Sequence, residues 1–358
     1  MSTFPLPRHR SGGRQRSFLT QLLAGRLWLL VLALTAPLLL TAQRPLTIKM
    51  ATLAPEGSPW HEVLREIRQD WLDISGGKVR LNIYAGGTAG DESDMVRKMR
   101  IGQIHSAALS AEGLSYIDKG IYALSLPMLA KNYRELDWIR SQIEPELRER
   151  YRSKGYRVLA WADVGWIYWF SREPARAPAD LRRQRIFTWA GDAHTPKLWK
   201  AAGFQPVSLA AVDVLPALQT GLIDAVDASP LTVASFQWFG VARYMTDLPF
   251  AALTGALIIT EAAWQRIPEK WRDAFLQAVL RRTQRIHDEI RYSDAAAVEV
   301  MKEHGLQVVS VTPADIALWR ALIEEHIGLL RGTLIDTVMF DRVVALKAEK
   351  DRPGFVLP

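Results

Sequence analysis

The residues of this chain that could carry out chemistry do not combine into a recognised catalytic or metal-binding pattern. The glycines within residues 86–90 indicate a turn, but they are not followed by the Lys-Ser/Thr pair that a phosphate-binding loop needs. The histidines are scattered, and His287 and Glu289 lie on a predicted helix without sharing a face. Asp224 and Asp227 could form an acid pair, but the sequence identifies no partner for them. We therefore expect no enzymatic activity, no metal and no cofactor.

Composition and charge exclude further classes of function. None of the 358 residues is Cys, which excludes disulfides, thiolate metal sites and a cysteine nucleophile. The net charge is +7, but residues 1–42 contain five arginines and no acidic residue. Removing those five leaves 40 basic residues against 38 acidic ones. A chain so nearly balanced lacks the basic stripe typical of nucleic-acid-binding proteins, so we expect no nucleic-acid partner.

Residues 1–42 are predicted to be an export signal. The arginine-rich stretch ends at Arg26, and a run of 16 mostly apolar residues follows from Leu27 to Ala42. This run is shorter than the roughly 20 residues that span a bilayer, and Pro37 interrupts it. We predict cleavage after Ala42 and a mature protein in the periplasm. An uncleaved membrane anchor is the alternative.

The rest of the chain alternates between strand and helix patterns. The predicted strands cover residues 46–52, 79–84, 106–109, 158–162, 166–170, 184–189 and 222–226. The first helix is opened by Ser58 as cap and Pro59 at the first helical position, where its missing N–H costs nothing. This repeated order of strand, helix and strand predicts an α/β fold with a parallel sheet covered by helices.

The same α/β pattern occurs on both sides of about residue 163, which predicts two lobes. A helical pattern runs from 268 to 304 without a breaker. A helix of that length would measure about 54 Å, which is more than one small domain, so we expect it to bridge both lobes. We assign residues 45–163 and about 251–285 to lobe I. Residues 164–250 and about 286–358 are assigned to lobe II.

Several separated segments resemble the substrate-binding proteins of tripartite ATP-independent periplasmic (TRAP) transporters, the dicarboxylate-binding (DctP) family. The segments are residues 48–52 with 57–60, 76–79 leading to 84 and 86–87, 90–92 with 95–102, 127, and 206–207 with 217–224. Each is weak alone, but in this order they are specific, and they cover the chain from about 46 to 275. The resemblance implies a two-lobed receptor that closes on a small ligand and presents it to membrane permease subunits.

Three positions depart from the pattern that the resemblance implies. The family usually holds an organic acid with an Arg at the position of Phe187, and a second Arg often follows the residue equivalent to Gly165. Here Gly165 is followed by an aromatic run without Arg, and the position of a family Asn falls near Ala228. A shift of one residue in the alignment would instead bring Arg185, or even Arg172, into the site.

Aromatic side chains stand near these missing polar anchors. A carboxylate buried without a charged partner costs several kcal/mol, whereas aromatic faces favour an apolar ligand. Alternation sends Trp166 and Tyr168 to one face of their strand and Ile167 and Trp169 to the other, so only one pair can line a cleft. The predicted ligand-binding residues are Trp60, Trp166, Tyr168, Phe187, Trp189, Asp227 and Ser229.

The sequence therefore predicts a periplasmic solute receptor of a TRAP-type uptake system with an apolar or weakly polar ligand. A subgroup of the family lacks the usual Arg and works beside a helical-repeat protein, so such a partner is also expected. A conventional organic-acid receptor with a misaligned Arg is the alternative. A periplasmic enzyme on the same fold is a more remote one.

Overall fold

The computed structural model describes residues 44–192 and 194–357. The predicted export signal, residues 1–42, lies outside the described residues, so its cleavage stays a prediction. The chain divides into two units, and the fold described below is that of Leu46–Pro358. None of the helices in the described ranges combines the length and the apolar character that crossing a bilayer requires.

Ten strands in these ranges form one hydrogen-bonded series. They are β1 (Leu46–Thr52), β2 (Val79–Tyr84), β3 (Ser106–Ser110), β4 (Tyr156–Ser171), β5 (Arg185–Trp189), β6 (Gln205–Leu209), β7 (Ala225–Ala228), β8 (Tyr244–Thr246), β9 (Ala251–Thr260) and β10 (Gln307–Val309). The main path runs β2-β1-β3-β9-β4-β7-β5-β6, and β8 pairs with both β4 and β10. β1 is parallel to β2 and β3, and β5 is parallel to β6 and β7. β9 is antiparallel to β3 and β4, and β4 is antiparallel to β7. The α/β fold is thereby confirmed, but the sheet is mixed where the sequence predicts a parallel one.

Twelve α-helices in the described ranges pack around these strands. They are α1 (Pro59–Ile74), α2 (Glu92–Arg100), α3 (Ala111–Ser115), α4 (Tyr133–Ser153), α5 (Pro178–Leu181), α6 (Thr195–Ala201), α7 (Val214–Thr220), α8 (Pro230–Ser235), α9 (Glu261–Arg266), α10 (Glu269–Glu303), α11 (Pro313–His326) and α12 (Thr337–Lys350). α1 begins as predicted, because the Ser58 hydroxyl accepts a hydrogen bond from the His61 N–H at 3.4 Å and Pro59 follows.

β4 is one strand of 16 residues where the sequence predicts two. Its first part pairs with β9 up to Ile167, and its last part pairs with β7 from Tyr168 onward. The register shifts between Asp163 and Gly165, where Gly165 takes a φ of 126°. The strand continues through the polar Asp163 because Arg140 and Arg291, distant in sequence, pair with its buried carboxylate.

The long helix predicted over 268–304 is confirmed as α10, which has 35 residues. Near its start, Phe275 stacks on Trp71 of α1 with ring centroids 4.5 Å apart. Near its end, Met301 is buried in the same hydrophobic cluster as Phe170 and Phe187. One helix therefore contributes to the core beside β1 and to the core beside β5 and β7. The residue boundaries of the two lobes stay a prediction.

Candidate ligand-binding cleft

Two neighbouring cavities lie along β4, β5, β7 and β9. Their volumes are about 200 Å³ and about 220 Å³. Five residues line both of them: Ser110, Ile167, Trp189, Asp227 and Leu253. Because of these shared walls we describe them as one cleft, with a first cavity that reaches α1 and a second cavity that reaches α11.

The first cavity has aromatic walls. Phe187 and Trp189 are two residues apart on β5 and so share a face, and their rings meet edge to face at 5.0 Å. Trp238 lies 6.4 Å from Phe187 and stacks on Phe236 at 5.1 Å. Trp60, in the first turn of α1, also lines this cavity, and its Nε1 is buried without a hydrogen-bond partner among the described residues. Trp60, Trp189 and Phe236 are partly exposed and can offer apolar surface to a ligand, whereas Phe187 and Trp238 are almost fully buried.

The second cavity is closed partly by the C-terminal region. Leu322 and His326 of α11 line it together with Trp199 and Phe250. The Ser125 hydroxyl, also in this wall, is buried without a hydrogen-bond partner in the part of the chain that the structure describes. Sequence analysis missed the α11 residues, because their apolar spacing is that of any helix packed on a core.

Glu92 is a buried carboxyl in the wall of the first cavity. It is 3% exposed and accepts hydrogen bonds from the Ser110 N–H at 2.7 Å, the Ser110 hydroxyl at 2.6 Å and the Gly113 N–H at 2.8 Å. Burial raises the pKa of Glu92 to about 7, against the effect of these donors. A Cβ at Gly113 would lie 2.9 Å from the Glu92 carboxyl, so the glycine allows this close approach.

Glu112 is a buried carboxyl in the wall of the second cavity. The hydroxyls of Tyr116 and Tyr122 both donate to its carboxyl, the first at 2.6 Å. Burial raises the pKa of Glu112 to about 7, although both hydroxyls favour the charged form. Like Glu92, this carboxyl already has partners inside the protein.

Asp227 lies at the junction of the two cavities and differs from both glutamates. It stands on β7 opposite Trp169 of β4, between the buried Val226 and Ala228. No side chain or other backbone group in residues 44–192 and 194–357 donates a hydrogen bond to its carboxyl; only its own backbone N–H favours the charged form. Burial raises the pKa of Asp227 to about 7. The cleft therefore contains an acidic group whose partner is not supplied by the described chain.

Basic side chains are scarce in these walls. Among the described residues that line either cavity there is no Lys or Arg, and His326 is the one basic side chain. Arg185 forms an ion pair with Asp224 at 2.8 Å, and Arg172 donates to the Leu218 carbonyl at 3.3 Å. Neither arginine that a shifted alignment would bring into the site lines the cleft.

The structure brings four of the seven predicted residues together. Trp60, Phe187, Trp189 and Asp227 all line the first cavity. As contacts to a ligand they stay predictions.

Trp166, Tyr168 and Ser229 line neither cavity. Ile167 faces the cleft instead, so alternation sends Trp166 and Tyr168 to the opposite face of β4. There the Trp166 ring packs against Tyr133 at 5.4 Å. Ser229 is fully buried and caps α8, with its hydroxyl accepting from the Thr232 N–H at 3.3 Å.

A comparison with protein families decides what kind of protein carries this cleft. The model of the bacterial extracellular solute-binding proteins, family 7 (DctP), matches residues 50–328. The chain belongs to this family. Similar proteins include the sialic acid-binding periplasmic protein SiaP of Vibrio cholerae, which is 20% identical over 78% of this chain and 86% of its own. The C4-dicarboxylate-binding periplasmic protein DctP of Rhodobacter capsulatus is 20% identical over 89% of this chain and 94% of its own.

Solved structures show the fold of the family 7 chain. A TRAP periplasmic solute-binding protein from Sulfurospirillum deleyianum, with bound succinate, matches with a TM-score of 0.78 at 19% identity, over 85% of this chain and 100% of that chain. One from Ralstonia eutropha, with bound acetolactate, matches with a TM-score of 0.78 at 20% identity, over 84% and 98%. The fold is the two-lobed one of these binding proteins. The chain is an extracytoplasmic TRAP solute receptor and not an enzyme.

Proposed function

We propose that this receptor binds a small apolar or weakly polar organic ligand in an aromatic cleft between its lobes. The observation that carries the proposal is the lining of the two cavities: the described residues that form it include aromatic rings but no Arg or Lys. Phe187, on the strand where the family resemblance implies an Arg, is 2% exposed and packs between Trp189 and Trp238.

The energetics of burial favour an apolar ligand here. Burial of apolar surface contributes roughly 25 cal/mol per Å², so a ligand burying about 250 Å² gains on the order of 6 kcal/mol before ordering costs. A dicarboxylate would have to leave water without a guanidinium partner, at a cost of several kcal/mol. Its charge would also lie beside Glu92, Glu112 and Asp227.

A conventional organic-acid receptor is the second candidate. It is favoured by the solved relatives, whose bound molecules include succinate and glucuronate. For this chain it requires Arg185 to leave Asp224, with which it makes two hydrogen bonds at 2.8 and 3.0 Å, and to enter the cleft.

The partners follow from the receptor role. We expect the loaded protein to dock on the membrane permease subunits of a TRAP transporter, after export to the periplasm through residues 1–42. A helical-repeat periplasmic protein is a further proposed partner. It rests on the absence of Arg at the position of Phe187, which this chain shares with that subgroup of the family.

Two measurements test the ligand class. Native mass spectrometry of the purified protein, followed by denaturation, identifies any small molecule that copurifies with it. Calorimetric titration with succinate and with a sialic acid should show no binding. Micromolar affinity for either, abolished by Arg185→Ala, would establish the organic-acid receptor instead.

A substitution tests the aromatic wall. Trp189→Ala removes an indole that lines both cavities and should weaken binding of the copurified ligand at least tenfold. Trp271→Ala is the matched control, because Trp271 packs at the start of α10 and lines neither cavity. Equal affinities of the two variants would argue against the aromatic cleft as the binding site.

A further inference from the structure

The walls of the cleft are acidic as well as aromatic. Glu92, Glu112 and Asp227 each stand in the wall of at least one cavity. Among the described lining residues, the imidazole of His326 is the one group that could offset their charge with a positive one. The carboxylates in these walls would repel an anionic ligand, and a neutral ligand would form no ion pair with them.

Two of the three carboxyls are explained by the protein itself. Glu92 accepts from two backbone N–H groups and a hydroxyl and so holds the start of α3 against α2. Glu112 accepts from two tyrosine hydroxyls. These contacts satisfy groups that burial would otherwise leave unpaired, so neither glutamate needs a ligand.

Asp227 has no such explanation. It stands where the two cavities meet, and no described residue other than Asp227 itself donates to its carboxyl. Asp227 is partly exposed, in the walls of both cavities. A cationic donor brought by a ligand would give its carboxylate the partner that the described residues do not supply. The unpaired Nε1 of Trp60 and the unpaired hydroxyl of Ser125 each line only one of the two cavities and carry no charge. Asp227, which lines both cavities, is therefore the acidic group of the cleft that has no donor from another described residue.

We propose, building on the proposed function, that the ligand is an apolar amine whose protonated nitrogen pairs with Asp227 while its apolar body lies against the aromatic walls. Trp189, like Asp227, lines both cavities, and an indole face attracts an organic cation in addition to its apolar contact. An ammonium and a carboxylate form a charge-assisted hydrogen bond, stronger than the bond a neutral hydroxyl would make.

Three probes of matched shape test this inference. Phenethylamine, phenethyl alcohol and hydrocinnamate carry the same phenyl group on a short chain and differ mainly in a cationic, neutral or anionic end. Calorimetric titration of the full mature protein at pH 8 should rank the amine first, at least tenfold tighter than the alcohol, with the carboxylate weakest.

The Asp227→Asn variant isolates the carboxyl. It should lose at least tenfold in affinity for phenethylamine and keep its affinity for phenethyl alcohol within threefold. Asp288→Asn is the matched control, since Asp288 is exposed on α10 and lines neither cavity. It should leave both affinities unchanged.

The pH profile of binding to the unmodified protein gives a second readout. Burial raises the pKa of Asp227 to about 7, so the cation has to displace a proton below that pH. Affinity for phenethylamine should therefore fall by about tenfold per pH unit below pH 7, while affinity for the alcohol should not. The other titratable groups of the walls are Glu92, Glu112, Tyr122 and His326, and their contribution is the dependence that remains in Asp227→Asn.

The outcomes separate this inference from the proposed function. If the alcohol binds as tightly as the amine and binding does not depend on pH, the proposal of an amine ligand is wrong. The proposal of an apolar ligand would still be supported. If hydrocinnamate binds tightest, both are overturned. Binding of none of the three at millimolar concentration also overturns both, because the cavities are large enough for a phenyl group.

Discussion

Glu92 shows how a single buried carboxyl can organise the backbone around a cleft. Its two oxygens receive the Ser110 N–H, the Ser110 hydroxyl and the Gly113 N–H, which join α2 to the strand end and the short helix that follow it. A carboxyl group has enough acceptor sites for all three donors, whereas an amide presents one acceptor oxygen and a donor NH₂ group.

Glu92→Gln should therefore lower the free energy of unfolding by about 1–3 kcal/mol, because at least one buried donor loses its acceptor. Urea denaturation followed by circular dichroism measures this. Glu324→Gln on the exposed face of α11 is the matched control and should change stability by less than about 0.5 kcal/mol. Equal stabilities of the two variants would contradict the role given to Glu92.

Asp227 predicts a pH dependence of stability in the unliganded protein. Its pKa is raised from 3.8 to about 7 by burial, so the folded state binds a proton that the unfolded state has already released between those values. The stabilising effect of that proton is fully present below about pH 4 and is lost as the pH rises through about 7.

Asp227→Asn removes this dependence. Relative to the unmodified protein, its unfolding free energy should rise by on the order of 1–3 kcal/mol between pH 4 and pH 8. Denaturation curves at several pH values give the comparison. A difference that stays constant across this range would show that Asp227 titrates normally in the folded protein.

At the scale of elements, β4 and α10 are joined by a buried ion network. Asp163 is 1% exposed, and its carboxylate forms ion pairs with Arg140 at 2.7 Å and with Arg291 at 2.7 Å. Asp137 pairs with both arginines. Burial alone would raise the pKa of Asp163, but Arg140 and Arg291 outweigh it and hold that pKa below its usual value. Its contribution to stability is therefore present at neutral pH and is lost as the pH falls through the lowered pKa.

Asp163→Asn should destabilise the protein by about 3–5 kcal/mol at neutral pH, since it leaves two arginines facing an uncharged group. The exposed pair of Arg331 and Asp341 supplies the control, and Asp341→Asn should cost less than about 1 kcal/mol. Thermal unfolding of the two variants separates these magnitudes. A loss at Asp163 no larger than at Asp341 would contradict a structural role for the network.

β4 also shows which structural features local sequence patterns do not predict. Hydrophobic periodicity is enough to predict β1, α1, β2, α2 and the whole of α10, because these elements are defined by local spacing. The continuity of β4 is not local, since it depends on Arg140 and Arg291 reaching Asp163 from other elements.

The sequence also does not predict which face of β4 lines the cleft. Alternation defines the pairs Trp166/Tyr168 and Ile167/Trp169, but the register shift between Asp163 and Gly165 determines how they are placed relative to β9. The choice of Phe187, in contrast, rests on the family resemblance, which implies an Arg at its position. The α11 wall of the second cavity depends on tertiary packing that leaves no mark in the local sequence.

At the scale of the whole molecule, the cleft predicts a change of shape on binding. The two-lobed fold lets the lobes close on a ligand by hinge motion, with β4, β9 and α10 as the elements that run between the proposed lobes. Small-angle scattering should show a smaller radius of gyration when the ligand saturates the protein. Trp189→Ala at the same ligand concentration should scatter like the unliganded protein. Unchanged scattering from protein that calorimetry shows to be saturated would exclude closure.

Gly165 has a consequence for how sequences of this kind can diverge. A Cβ there would lie 2.6 Å from the Ser229 Cβ and would overlap the Asp294 carboxyl, which accepts the N–H groups of Trp166 at 3.3 Å and Leu231 at 3.2 Å. The positive φ adds strain for any other residue. Substitution at position 165 is therefore tolerated only together with changes at 229 and 294. In an alignment of related chains these three positions should co-vary, even though 129 residues separate the first from the last.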